Sequence, residues 1–309
     1  MINVSCCPSH QLPYEIQNRL NNYSLFTSTG FANLWKTKGG KAVAWFAEHE
    51  NKIAAILPGV EFGSKPLIRF MSMPNGCYGS IVFSSITDEL KTASGKAILN
   101  EIVKKKYVKT YLFDYYKTLP ENNAYKIENC RTTLVDISDP DWQPPDKKLR
   151  QQIHKAENGG IAPSIFKYDE QFSGFLSLVK KTEKRIGVKP KYASEFFKAL
   201  AELAENDNRI WWFWCEYEGH PVASNIFFLE QDNILHWQSY IDEEYSFLQP
   251  NKYMPYYAAQ KASALGIKYL NLGASPDKAE GVEFYKSKWG GVPYYYNCLI
   301  LKRGVGKFL

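Results

Sequence analysis

The chain has 309 residues, a formal net charge of +6, 45% hydrophobic and 23% charged residues, which is the composition of folded globular protein with room for two domains. Residues 1–145 and 146–309 each carry +3, so neither half is basic enough to mark a nucleic-acid binder by bulk charge. No apolar run reaches membrane-spanning length, residues 1–10 lack the order of a secretory leader, and the six cysteines (6, 7, 77, 130, 215, 298) form no CxxC pair and no zinc-spaced cluster with His. A reduced, cytoplasmic protein with no metal is expected.

In chain order, helical turns are predicted at 14–20 and 28–35, strands at 42–48, 52–60 and 67–71, a helix over 87–104, and strands at 107–113 and 132–137. The stretch 117–124 holds Pro120 and Asn122-Asn123 and does not read as a helix. Pro140, Pro144 and Pro145 disfavour regular structure over 139–146, which reads as a linker. Beyond it a helix over 147–158 stops at Gly159-Gly160, and a strand follows at 161–168. Apolar residues at helical spacing give helices over 172–185 and 196–204. Strands at 209–217, 222–229 and 233–241 are joined by Glu218-Gly219 and Asp232-Asn233, both hairpin turn chemistry. Pro250 opens a helix whose apolar face is Met254, Tyr257, Ala258, Ala262 and Leu265, and Gly266 ends it. A strand at 268–272, a helix at 282–288 stopped by Gly290-Gly291, and a strand at 294–301 complete the order. The first half repeats this order loosely. The expectation is an α+β protein of two tandem domains, 1–145 degenerate and 146–309 complete, each a mainly antiparallel mixed sheet flanked by helices.

Three stretches carry a family likeness: Leu149-Arg-Gln-Gln-Ile-His-Lys-Ala-Glu-Asn-Gly-Gly-Ile161, then Pro250-Asn-Lys-Tyr-Met254 with Tyr269-Leu-Asn-Leu-Gly-Ala-Ser275, then Val282-Glu-Phe-Tyr-Lys-Ser-Lys-Trp-Gly-Gly-Val-Pro293. In that order they resemble the GNAT acyltransferase superfamily and, within it, the FemAB-like tandem group. The resemblance implies two GNAT-like domains and an N-acyltransferase. Such an enzyme moves an acyl group from acyl-CoA to a primary amine of a small molecule, amino sugar or peptide. An aminoacyl-tRNA-dependent aminoacyltransferase and a non-catalytic carbohydrate- or peptide-binding module stand as alternatives. Where acyl-CoA enzymes of the superfamily carry a glycine-rich phosphate loop, residues 243–251 contain no glycine and two carboxylates, and the helical arm of some FemAB enzymes has no counterpart here.

The resemblance also implies site residues. Tyr285 matches the position of a proton donor to the leaving thiolate; as a bland alternative it is a packed helix aromatic. Glu216, His236 and Asp242 are the base candidates, against a solvated carboxylate or a hydrogen-bonded strand histidine. Ser239 and Tyr240 lie near the expected thioester carbonyl, and Ser246, Asn251, Lys252 and Lys286 are candidate contacts to the donor. Two basic clusters, Lys147/Arg150/His154 with Lys148/Lys155 and Lys180/Lys181/Lys184/Arg185, suit a phosphate or simply a solvated helix face. Trp211, Trp212, Trp214 and Trp237, with Tyr253, Tyr256 and Tyr257, line an acceptor cleft or fill the core. Cys77 and Ser275 have no paired histidine and are set aside as nucleophiles.

Overall fold

Local chemistry fixes most element ends. The computed structural model describes residues 1–74, 76–275 and 279–304. In chain order they form β1 (Ile2–Pro8), α1 (Tyr14–Tyr23), α2 (Thr29–Leu34), β2 (Gly40–His49), β3 (Lys52–Phe62), β4 (Arg69–Met71), β5 (Val82–Phe83), α3 (Asp88–Lys104), β6 (Lys109–Asp114) and β7 (Lys126–Asp136). There follow α4 (Lys147–Glu157), β8 (Ser164–Ile165), α5 (Tyr168–Ile186), α6 (Ser194–Asn206), β9 (Ile210–Tyr217), β10 (His220–Glu230), β11 (Asn233–Ile241), α7 (Pro250–Ala264), β12 (Tyr269–Asn271), α8 (Glu280–Lys288) and β13 (Val292–Lys302). Thr87 and Asp146 cap α3 and α4 by accepting from the N–H groups of Leu90 and Leu149, so the proline-rich linker ends on a helix N-cap. Glu218 and Gly219 both take positive φ, 50° and 77°, the backbone of a hairpin turn that matches strand twist.

The chain divides into two compact units, one of residues 1–130 with 295–309 and one of residues 131–294. The expected boundary at 145/146 differs from this division at both ends. The first unit is completed by β13, whose residues 297–302 pair antiparallel with β6 and bury Cys298 and Leu299 there. Its strand order is β1-β2-β3-β4-β6-β13, antiparallel except for the β4–β6 pair, with β5 beside β3. Helix α3 packs on β1, β2 and β3, and Trp45, Leu57, Phe70, Ile98 and Leu112 are among its core residues. β1 was not expected from the sequence, although it alternates: Ile2, Val4 and Cys6 pack inward while Asn3 and Ser5 are exposed.

The second unit orders its strands β7-β12-β11-β10-β9-β8, all antiparallel except β11–β12. Its two sheet faces are covered differently. Phe213, Ala223, Phe227 and Ile234 join Met254 and Ala258 of α7 and Leu149 and Ile153 of α4 in one core. Trp212, one residue from Phe213, instead packs its ring against Phe175 of α5 and Phe197 of α6. Strand alternation thus sends Trp212 to the α5/α6 face, where Trp214 contacts Phe166 and Trp237 packs on Tyr192 and Phe196. Trp212 and Trp214 are buried core, and Trp237 is half-buried on that face.

Candidate active site

The feature that organises the second unit is a parting of two strands. β11 and β12 run parallel for three residue pairs only, from Asn233↔Tyr269 to Leu235↔Asn271. The register of β11 against β10 then shifts between Phe227↔His236 and Ile226↔Gln238, which leaves Trp237 as an extra, bulged residue. A bulge increases local twist and bends its strand. Beyond it β11 continues to Ile241 with β10 on one edge and no β12 residue on the other. β12 ends where the chain turns away at Gly273, φ 73°, a conformation that glycine adopts without strain. A Cβ placed on Gly273 would meet only the His236 carbonyl, at 3.9 Å, so there is room at this turn itself.

The bulge also decides which side chains meet. Residues three apart on a regular strand face opposite ways. With Trp237 inserted, His236 and Ser239 share one face and flank the buried Asn225 of β10. The Asn225 amide donates to His236 Nε2 at 3.1 Å, and its carbonyl oxygen accepts from the Ser239 hydroxyl at 3.0 Å. With Nε2 accepting, the histidine proton sits on Nδ1. The ring stacks on Phe227 with centroids 4.6 Å apart. Burial, and secondarily the charge of Lys286, push its pKa down to about 4. His236 is neutral at physiological pH and presents an N–H donor.

Lys286 of α8 is only 4% exposed. Its ammonium donates to the Gly273 carbonyl at 2.6 Å, which leaves two N–H donors for other acceptors. Burial, with a further push from Arg131, lowers its pKa to about 8 against the pull of Glu283. Arg131 is itself paired with Glu283 at 2.7 Å. Asn271 braces the turn: its side-chain oxygen accepts from Gly273 N–H at 2.9 Å and from the Thr132 hydroxyl at 2.6 Å.

Tyr285 is engaged elsewhere. Pro255 sits inside α7 and has no N–H, so the carbonyl of Asn251, four residues earlier, lacks its helical donor. The Tyr285 hydroxyl donates to that carbonyl at 3.0 Å. Burial raises its pKa, so the phenol stays protonated. That hydrogen bond satisfies the carbonyl the helix leaves open and joins α8 to α7.

Two base candidates are likewise accounted for. Asp242 is buried in an ion pair with Lys181 and caps the helical turn at 243–248 by accepting from Glu244 N–H, so it is a structural carboxylate. The same pairing explains part of the lysine cluster at the end of α5. Glu216 is exposed near the far end of β9, where it accepts from the Trp214 indole at 2.7 Å, two strands away from β11. Tyr240 falls on the opposite face from Ser239, edge-on to Phe175 and Phe197 and buried, with its hydroxyl donating to Gln238 at 3.3 Å. Ser246 is exposed on the turn before α7.

Asn251 and Lys252 begin α7. Lys252 is half-buried, donates to the Asn251 side chain at 3.2 Å, and has its pKa lowered by burial and by the nearby charge of Lys288. Two like charges at a helix start make an anion welcome there. In the other basic stripe, Arg150 donates to the carbonyls of both Pro144 and Pro145 at 2.7 Å, so it ties down the linker. Among the described residues no group of His, Cys, Asp and Glu could hold a metal, and no helix is long and apolar enough to cross a membrane.

Asn225, Asn271 and the bulge at Trp237 went unread in the sequence. The two asparagines had a signal: each is a lone amide inside an apolar strand, where it must find partners. The bulge had none.

Residues 146–287 match the family described as acetyltransferase (GNAT) domain. The fold is shared with solved structures of low identity. FemX is 12% identical over 96% of each chain with a TM-score of 0.70. L-PGS from Bacillus licheniformis is 12% identical over 96% of this chain and 94% of its own, with a TM-score of 0.62. A tandem GNAT protein from the clavulanic acid biosynthesis pathway is 8% identical over 98% of this chain and 99% of its own, at 0.53. No curated protein matches the sequence.

Proposed function

We propose that this chain, a tandem GNAT fold whose residues 146–287 match the acetyltransferase domain family, is an N-acyltransferase that moves an acyl group from an acyl-CoA thioester to a primary amine. The observation that carries the reading is the opening between β11 and β12 with a buried ammonium, Lys286, beside it. A parted strand edge offers backbone donors to an acyl carbonyl. Fixed donors there act on charge as it develops.

The amine attacks the thioester carbon, the carbonyl oxygen gains negative charge, and the C–S bond then breaks to leave amide and thiolate. The proton shed by the amine is finally carried by the thiol. Lys286, in its protonated form, stabilises the negative charge as it passes from oxygen to sulfur, and the neutral His236 contributes an N–H rather than a base. The acceptor amine enters as the free base, so the chain supplies positioning more than proton abstraction. Asn251, Lys252 and Lys288, at the start of α7 and on α8, suit the phosphates of the donor, in place of a glycine loop.

The test is release of free thiol from acetyl-CoA and longer acyl-CoAs in the presence of a panel of amino sugars, amino acids and peptides. Amine-dependent release, lost at least about 100-fold in Lys286→Met, is expected. No release and no thioester binding in a calorimetric titration would remove the acyl-CoA reading.

A further inference from the structure

Outside this site, the first unit holds a second chemical grouping that the transfer reaction does not use. Cys130 on β7 and Cys298 on β13 lie on neighbouring strands. Their side chains are hydrogen-bonded thiol to thiol, and the Tyr296 phenol also bonds Cys130. All six cysteines are free thiols. Cys130 is half-buried and within reach of a small reagent, whereas Cys298 is 2% exposed. Tyr296 is in turn held by ring contacts to Tyr78 and Tyr115, with centroids 5.5 and 5.6 Å away. The pair therefore has an attacking thiol open to solution, a resolving thiol shielded behind it, and a fixed phenol donor.

We infer that Cys130 and Cys298 form a peroxide-responsive dithiol that closes to an intramolecular disulfide. The Cys130 thiolate attacks one oxygen of a hydroperoxide, the O–O bond breaks, and Cys130 becomes a sulfenic acid as the peroxide leaves as hydroxide or alkoxide. The Cys298 thiol then attacks the sulfenic sulfur, the S–O bond breaks, and water departs with the Cys298 proton. The net change is two thiols and one peroxide giving one disulfide, with two electrons passing to the peroxide. Cross-strand neighbours in a sheet have Cα atoms about 4.5–5.5 Å apart, inside the span that a disulfide bridges, and here the two thiols are already in hydrogen-bond contact. Donated hydrogen bonds, first from Cys298 and then from Tyr296, hold the Cys130 thiol below the ordinary range, against burial and the charge of Glu128. Cys6 and Cys215 are opposite cases, each pushed up to about 12 chiefly by burial, and Cys7 is also raised by burial, so these three serve as internal references.

The experiment treats the full-length protein with a small excess of hydrogen peroxide, traps remaining thiols with an alkylating agent, and maps peptides by mass spectrometry without reduction. The expected result is a peptide joining Cys130 to Cys298 with the loss of two hydrogens, undone by a dithiol reductant. Cys130 should be consumed about tenfold faster than Cys7. In Cys298→Ser the crosslink should vanish and Cys130 should progress to sulfinic acid. Full alkylation of both cysteines after peroxide would overturn the inference, as would a sulfinic Cys130 beside a free Cys298 in the unsubstituted protein. The wild-type readout stands even if the serine variant folds poorly.

Discussion

In the proposed reaction, Lys286 trades stability for chemistry. An ammonium that falls from its ordinary 10.5 to about 8 is one whose charged form the fold disfavours. The unfolded chain therefore binds more protons than the native one between these values, and stability rises with pH across that window; below 8 the penalty is constant. Lys286→Met should raise stability at pH 7 by roughly 1–3 kcal/mol in chemical denaturation, while turnover falls. The Gly273 carbonyl left behind keeps a partner, since Thr133 N–H donates to it at 3.2 Å. The rate supported by Lys286 should also decline above about pH 8 as the proton leaves. His236 gives a signature on the acid side. Its pKa is depressed from 6.5 to about 4, so its contribution is intact above 6.5 and lost as pH falls towards 4. A denaturation series should lose on the order of 1–3 kcal/mol across that window, and His236→Gln should flatten it. At this scale the sequence pointed to Lys286 and His236 by type and position. Their pKa shifts were not legible, because a pKa depends on burial and on neighbours such as Asn225 and Gly273 that only the fold assembles.

At the scale of elements, the join between α7 and α8 makes a separable prediction. If the Tyr285 hydroxyl chiefly serves the carbonyl orphaned by Pro255, Tyr285→Phe should cost about 1 kcal/mol of stability and change turnover by less than about threefold. Pro255→Ala restores the missing N–H. In that background the cost of Tyr285→Phe should fall close to zero, a coupling that thermal melts of the four proteins would measure. Unchanged cost in the alanine background would mean that the two residues act independently. Helix and strand periods were legible over most of the second unit, because α5, α6, β9, β10 and β11 carry clean apolar patterns. β8 was expected over 161–168 and spans only Ser164–Ile165, since a single short pairing to β9 holds it. The bulge at Trp237 could not be read, because one unpaired residue leaves no mark in an apolar strand whose alternation it merely resets. Yet it moves Ser239 onto the face of His236 and Tyr240 off it.

At the scale of the whole molecule, the two repeats were visible in element order, but their membership was not. Sequence reasoning cuts at the proline-rich stretch because prolines oppose regular structure. Pairing decides otherwise: residues 295–309 belong with residues 1–130, and 131–136 of β7 lie in the unit that contains β12. Removing residues 295–309 should therefore damage the first unit, although it shortens only the C-terminal side of the sequence. Without β13, β6 keeps only β4 as a partner, and Leu112 loses the company of Leu299 and Leu301. Hydrogen exchange should rise across β6, measured by mass spectrometry on the shortened chain, while protection in β9 and β10 is kept. The same arrangement has a consequence for how the protein is made. A ribosome delivers residues 1–130 long before it delivers β13, so during synthesis β6 waits with an unpaired edge while the entire second unit emerges. Unpaired edges invite partners from other chains. The first unit is thus complete only once a strand encoded beyond residue 294 has been made.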